Sequence, residues 1–371
     1  MKTKILLVGA GAIGRGYLPW ALDETRHEFV FVDSNQALVE RLLAQGSYST
    51  WRVKGDEYEH KRVQVGGAFT PETFKLAEHS DAVACFFSVG PRHVAAAAAL
   101  LRGSTIPLVL CENEPETAAL ARTIVDHEQV YFAVPDVITS NTAPARLLAA
   151  DPLAISTEDG ILYVEAGVQG LHGSLQFVPR TELLRMQWTP KLYLHNTPHC
   201  IAAYLGSLTG ATYVHEAMAH PGANELVVGA MNEMLQALKL QWDVPHEFLG
   251  WYADKELARF RCPLLFDPVA RVAREPLRKL ESHGRLIGAA QLCLSLGVVP
   301  QYLLKGIVSA LLFEDQGDPD NHIGWLRDAM DNASFNRYVL GLRQGEPLDL
   351  MLQAHAADIT RELKQLAGKA S

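Results

Sequence analysis

The chain has few cysteines, no long uninterrupted apolar run and no surplus of basic charge. Its five cysteines, Cys85, Cys111, Cys200, Cys262 and Cys293, are an odd number without a Cys-x-x-Cys pair. That pattern argues against a disulfide framework and a cysteine zinc site, and it suits a reducing cytoplasm. The most apolar long window, Ile287 to Phe313, is interrupted by Gln291, Ser295, Pro300, Gln301 and Lys305. It therefore reads as buried core helices, with no membrane span expected. The start, Met1-Lys2-Thr3-Lys4 followed at once by Ile5-Leu6-Leu7-Val8, lacks the apolar segment and cleavage site of a signal peptide, so no export is expected. A net charge of -9 argues against a general nucleic-acid binder, whose affinity would come from neutralising phosphates. Internal repeats and low-complexity tracts are absent. What remains is an ordinary globular chain of 371 residues, 48% hydrophobic and 20% charged, long enough for two domains. A small-molecule substrate is the expected partner, for a monomer or a small homo-oligomer.

The first half alternates strands and helices. Ile5 to Val8 reads as a parallel strand covered on both faces, and it runs into Gly9-Ala10-Gly11-Ala12-Ile13-Gly14-Arg15-Gly16. In this context Gly9 permits the tight turn, Gly11 lets a pyrophosphate approach the backbone, and Gly14 lets the next helix pack on the strand. A second strand, Phe29 to Val32, ends in Asp33, about twenty residues past the glycines, where a carboxylate accepts hydrogen bonds from the adenosine ribose. Because Asp33 would repel a 2′-phosphate and Ser34 rather than Arg follows it, NAD is expected over NADP.

A helix over Gln36 to Gln45 ends at Gly46, and a hairpin flanks Lys54-Gly55-Asp56-Glu57, expected to decorate the sheet. The alternation continues with strands Ala82 to Val89, Pro107 to Cys111 and Val130 to Val134, and helices Val94 to Leu101 and Glu116 to Val125. Strands Leu153 to Ser156 and Ile161 to Glu165 are expected to extend the sheet before Gly167 to Pro179 carries the chain out. Two strand ends, Ser88-Val89-Gly90-Pro91 and Cys111-Glu112-Asn113, lie where open sheets bind ligands, although a turn with helix capping would give the same pattern.

From Pro190 onward helices take over, over Ala223 to Leu240, Pro245 to Phe260, Val299 to Phe313 and Leu348 to Leu366. The expected fold is α/β plus α: residues 1–189 an NAD-binding Rossmann domain, a doubly wound sheet with extra strands, and residues 190–371 a mainly helical substrate and catalytic domain. The Gly317-Asp318-Pro319-Asp320-Asn321 cluster reads as a loop, no flexible linker is evident, and the active site is expected between the domains. At the start of the helical part stands Lys191-Leu192-Tyr193-Leu194-His195-Asn196-Thr197-Pro198-His199. Helical spacing places Lys191, His195, Asn196 and His199 in one sector, and Pro198 either kinks this helix or opens a new one capped by Thr197. Farther on, Asp267-Pro268 reads as a cap and first-turn proline. Arg271, Arg274, Arg278 and the neighbouring Lys279 then form either a solvated face or an anion site, with Pro276 disturbing the helix.

In these motifs the chain resembles the polyol-specific long-chain dehydrogenase, or mannitol dehydrogenase, family over nearly its whole length. The resemblance rests on the glycine loop, Val89-Gly90-Pro91, Cys111-Glu112-Asn113, the Lys191, Asn196, His199 spacing continuing into Ala203-Tyr204-Leu205-Gly206, Arg259-Phe260, and Arg274-Glu275-Pro276-Leu277-Arg278-Lys279-Leu280 with Arg285-Leu286-Ile287. It implies a metal-independent dehydrogenase in which Lys191 is the general base, its pKa lowered by burial or nearby cations, and Asn196 and His199 hold and polarise the substrate oxygen. It implies NAD contacts from Gly9, Ala10, Gly11, Ala12, Ile13, Gly14, Asp33, Ser88, Val89, Gly90 and Asn113. Substrate contacts would come from Glu112, Asn113, Arg274, Arg278 and Lys279, with the basic cluster favouring a polyol phosphate interconverted with a ketose phosphate. An unphosphorylated polyol or sugar acid is the alternative, and a catalytically inactive nucleotide-binding sensor the third reading. The chain departs from the family in Asp136-Val137-Ile138-Thr139-Ser140, which lacks an arginine, in His195 before Asn196, in Pro198, and in Cys262 before Pro263. Arg15 is left to assist the pyrophosphate.

Overall fold

The structure, a computed structural model, describes residues 2–241, 243–314 and 323–368. The Gly317 to Asn321 cluster lies outside them. Two compact units divide the chain: one runs through Trp188 and includes Leu264–Phe266, the other takes Thr189–Pro263 and Asp267 onward.

The first unit holds eleven strands: β1 (Thr3–Val8), β2 (His27–Val32), β3 (Ser47–Lys54), β4 (Glu57–Gln64), β5 (Gly67–Phe69), β6 (Ala84–Phe87), β7 (Leu108–Leu110), β8 (Val130–Asp136), β9 (Ile155–Glu158), β10 (Ile161–Glu165) and β11 (Leu175–Val178). Eight form one sheet in the order β11-β10-β8-β7-β6-β1-β2-β5. It is parallel from β5 to β8, and β10 joins antiparallel to β8. The continuous apolar runs follow from burial of both faces. Ile5 and Leu7 join Phe29, Phe31 and Phe86 in one cluster, while Leu6 and Val8 join Val30, Val32 and Phe87 in the other. The strand order reverses between β2 and β6 around β1, which creates the crevice where open sheets take their ligands. The helix Gln36–Gln45 starts where Asn35 accepts from the Leu38 amide and stops at Gly46, whose φ is +65°.

Three expectations need correction. The hairpin does not decorate the main sheet but forms a second one, order β4-β3-β9. The reason is a set of buried polar contacts: Tyr48 Oη donates to Arg15 O at 2.7 Å and Thr50 Oγ1 to Gly16 O at 3.0 Å, docking β3 on the helix that follows the glycine loop. The segment expected to extend the main sheet from Leu153 is likewise drawn to β3, because the Asp151 carboxylate accepts from the amides of both Ser49 and Leu153 at 2.7 and 2.9 Å. Within Gly167 to Pro179, Leu175–Val178 forms one more strand, parallel to β10.

The second unit is helical. Thr197–Thr209 is buried at every position from Thr197 to Gly206, so it forms the centre of this unit. It packs against Val214–Ala219, Pro221–Gln241, Val269–Ala273 and Gln301–Leu311, with His246–Arg261 and Pro347–Leu366 farther out. Gln301–Leu311 follows Pro300 and has no side-chain cap of its own. Instead Glu233, from the neighbouring helix, accepts from the Tyr302 and Leu303 amides at 2.8 and 2.9 Å. No helix among the described residues is long and apolar enough to cross a membrane.

Candidate active site

In the first unit the glycine loop closes on the end of β6. Gly9 has φ +93°, and a Cβ there would stand 2.5 Å from Ser88 O; one on Gly14 would stand 1.9 Å from Gly9 O. Both positions therefore require glycine, whereas a Cβ at Gly11 would meet nothing within 4 Å. Gly11 lines a cavity of about 300 Å³ together with Gly9, Asp33, Ser34, Ser88 and Val89. Ser88 Oγ donates to Gly9 O at 3.0 Å and so ties the two turns together. Asp33 accepts from the Ala10 amide at 2.7 Å and the Asn35 amide at 2.8 Å. A carboxylate has acceptor capacity beyond two such bonds, so it can still take ribose hydroxyls. Backbone amides, an open glycine and a carboxylate at the second strand's end are a donor and acceptor set that fits a dinucleotide.

Ala12 and Ile13 begin the turn that winds from Ala12 to Tyr17 with wide, π-type geometry. Arg15 does not face a pyrophosphate: it is buried and donates to the carbonyls of Ala10 and Leu153. Glu112 is also buried, and its carboxylate accepts from the amides of Val89 and Gly90 at 2.8 and 3.1 Å. It thus shapes the turn after β6 instead of reaching outward. Burial pushes its pKa up to about 7, against the pull of those two amides. Asn113 is exposed, and its carbonyl accepts from the Trp188 indole at 3.2 Å.

The Glu112 pKa gives a stability prediction. The folded protein holds this proton more tightly than the unfolded chain, so raising pH from about 4.5 to about 7 favours unfolding, on the order of 3 kcal/mol. Glu112→Gln keeps an acceptor for both amides and removes the titration. Its thermal midpoint, followed from pH 5 to 8, should rise relative to that of the wild type, and a constant difference would refute the buried protonated carboxyl.

In the second unit Lys191–Asn196 winds with π-type turns and passes directly into Thr197–Thr209. Pro198 therefore does not open a helix capped by Thr197. The widened turn before it absorbs the missing donor, and Thr197 Oγ1 donates instead to the carbonyls of Leu192 and Arg285, at 3.1 and 2.7 Å. His195, Asn196 and His199 are buried and Lys191 is half-buried.

Each histidine is held by a buried carboxylate. His195 Nδ1 lies 2.5 Å from Glu256 Oε2, and Glu256 Oε1 takes Arg259 Nη1 at 2.7 Å and Lys255 Nζ at 3.2 Å. His199 Nε2 lies 2.6 Å from Asp267 Oδ2, and Arg271 binds the other oxygen, Oδ1. The two imidazoles are 4.9 Å apart, and Phe260 stacks on His199 at 5.0 Å. Burial opposes the charge on Glu256, but His195, Arg259 and Lys255 outweigh it and bring its pKa down to about 2. Asp267 reaches about 2 in the same way, through Arg271 and His199 against burial. Burial pushes His195 down to about 4, more than Glu256 raises it, with His199 and Lys191 adding to the fall.

Asp267 is consequently a partner of His199 and Arg271 and not a helix cap. The basic cluster does not form one helical face, since Pro276 divides it into Val269–Ala273 and Pro276–Lys279. Arg274 is exposed and donates to the Arg271 carbonyl, and Arg278 pairs with Glu275 at 2.8 Å. Lys279 is buried, with Nζ donating to the carbonyls of Val272 and Arg274, and burial, then Arg285, lowers its pKa to about 7. Sequence reasoning overlooked Glu256. The signal was there: Leu249, Tyr252, Ala253, Glu256 and Phe260 fall on one buried helical face, and a carboxylate at a core position needs partners. Among the described residues, no group of three or more His, Cys, Asp or Glu side chains is placed to hold a metal ion.

Residues 187–362 match the mannitol dehydrogenase C-terminal domain. A mannitol-1-phosphate 5-dehydrogenase from Caldanaerobacter subterraneus subsp. tengcongensis is 30% identical over 346 residues, covering 85% of this chain and 87% of that one. The chain belongs to the mannitol dehydrogenase family. A second relative, the mannitol-1-phosphate 5-dehydrogenase of Brevibacillus brevis, is 27% identical and spans 97% of this chain and 98% of its own. Among solved structures, Pseudomonas fluorescens mannitol 2-dehydrogenase, in a ternary complex with NAD and D-mannitol, superimposes with a TM-score of 0.74 at 16% identity, covering 100% of this chain and 95% of that one. That likeness shows that the α/β plus α fold of the mannitol dehydrogenases is shared.

Proposed function

We propose that the protein is an NAD-dependent oxidoreductase that interconverts a polyol phosphate and a ketose phosphate. The observation that carries this reading is the single helical stretch on which Lys191 and Asn196 stand beside two carboxylate-backed imidazoles. NAD, when bound, supplies the hydride acceptor. Lys191 takes the hydroxyl proton as the alcohol is oxidised, so the reaction needs no metal-bound water in this reading. Asn196 donates to the oxygen on which charge develops, and His199, its Nε2–H facing Asp267, turns Nδ1 toward the substrate hydroxyl as an acceptor before the proton leaves. Asp33 orients the adenosine ribose and disfavours a 2′-phosphate. The two relatives, both named for a phosphorylated polyol, support the phosphate, as do Arg274 and Arg278.

The test is to follow NADH absorbance with fructose 6-phosphate and with fructose, in the presence of a chelator. Oxidation with the phosphate ester alone is expected. Arg278→Ala should lower kcat/KM for fructose 6-phosphate by about tenfold or more, the size of a lost charge-assisted bond, and leave fructose unchanged. An equal effect on both substrates would remove phosphate recognition from Arg278.

A second reading, an unphosphorylated polyol or sugar acid as substrate, draws on the Arg278–Glu275 pair and on the burial of Lys279, which give two of the cluster's cations internal partners. Oxidation with fructose alone would select it. Binding of NADH without turnover across such a panel would select the inactive sensor.

A further inference from the structure

His195 has no assigned part in the chemistry proposed above, yet its environment is as constructed as that of His199. Glu256 is 0% exposed, and Arg259 and Lys255 sit on its Oε1, so the carboxylate is ionised and can only accept. The proton of the His195 ring must then be on Nδ1, facing Glu256 Oε2. That leaves Nε2 as a lone pair that accepts and cannot donate. Contact with His199 and Phe260, at 4.9 and 5.5 Å between ring centres, holds the ring in place. The same helical stretch carries Lys191 and Asn196, and the charge of Lys191 reaches this ring.

We propose that His195 is a specificity-determining residue whose Nε2 accepts a hydrogen bond from a substrate hydroxyl on a carbon flanking the reacting one. A polyol or ketose offers a hydroxyl as donor at each such carbon, and a fixed acceptor is its complement. The inference rests on the polyol dehydrogenase reading. Asn196 and His199 hold the oxygen that reacts, and His195 selects its neighbour, which stays a hydroxyl in both directions of the reaction.

The test uses the whole protein and two readouts. In the first, His195→Asn retains a nitrogen donor toward Glu256 and removes Nε2. Steady-state kinetics compare fructose 6-phosphate with its 1-deoxy and 3-deoxy analogues. For the parent substrate kcat/KM should fall roughly tenfold, the size of one lost buried hydrogen bond, while one deoxy analogue should lose less than about threefold. A purely structural role would give the same loss with all three substrates, and that additivity would overturn the proposal. In the second readout, ¹⁵N-detected imidazole spectra, with His195→Asn identifying the resonance, should show the Nδ1–H form at neutral pH. Glu256→Gln should reverse it, because Arg259 claims the amide oxygen and turns the amide NH₂ toward Nδ1. An Nε2–H or doubly protonated His195 in the wild type would overturn the assignment whatever the kinetics. A wild-type protein that reduces none of these ketoses would overturn the functional reading and this one with it. Turnover with additive losses would overturn the role of His195 alone.

Discussion

Lys191→Ala should lose turnover by about 10²- to 10⁴-fold, the range for removing a positioned general base, while NADH binds as before. Lys191 stands within a helical stretch whose later turns are packed, so truncating this half-buried side chain leaves the helix anchored. The proposed dinucleotide contacts, in the glycine loop, Asp33 and the turn after β6, belong to the other compact unit and do not include Lys191. Fluorescence titration with NADH and steady-state oxidation of the polyol phosphate measure the two halves of this prediction. Retention of substantial activity at every pH would reject Lys191 as the base. The rival amine is Lys279, whose pKa burial lowers to about 7. Its Nζ is committed to two backbone carbonyls, however, so Lys279→Met should weaken folding or substrate binding before it removes the proton-transfer step.

Glu256→Ala should destabilise the protein by about 3–5 kcal/mol, the usual cost of removing one member of a buried ion pair. Arg259 is 9% exposed and would lose the Glu256 carboxylate. His195 would lose the acceptor for Nδ1 at the same time. Against a total stability of about 5–15 kcal/mol this is a large fraction. Urea unfolding followed by helical circular dichroism should show the shift in midpoint, and a loss below about 1 kcal/mol would mean that the network relaxes freely.

The same groups set an acid limit for the wild type. Glu256 and Asp267 have folded pKa values of about 2, below their ordinary 4.5 and 3.8, so their contribution is complete above those ordinary values and is lost as pH falls toward 2. His195, lowered from 6.5 to about 4, acts in the same direction, since the unfolded chain takes up its proton first. Between pH 6.5 and 4.5 the loss at His195 is offset by the gain at Glu112, so net stability should decline below about pH 4.5, and Glu256→Gln should flatten that decline.

Local pattern carried much of this protein. The run from Ile5 to Val8, the glycines after it and Asp33 at the end of β2 define a nucleotide-binding βαβ unit by short-range constraints: an apolar strand buried on both faces, a positive φ at Gly9 and a close approach at Gly14. The helix Gln36–Gln45 was legible from its own cap residues, Asn35 and Gly46. The spacing of Lys191, Asn196 and His199 marked the stretch now proposed to handle a substrate oxygen. Tertiary structure decided what local pattern does not encode, namely which distant group satisfies each buried polar atom. Asp151 drew β9 to the hairpin and away from the main sheet because two amides there needed an acceptor. Asp267 became the partner of His199 and Arg271 although its position beside Pro268 reads as a helix cap. Glu112 turned inward to hold Val89 and Gly90, and Lys279 did the same toward two carbonyls. Glu256 was paired with His195 across 61 positions of sequence. Burial makes each of these pairings obligatory, since an unpaired charge or amide inside the protein costs several kcal/mol, about as much as any local preference can offset. The partners are set only when separate helices and strands pack together.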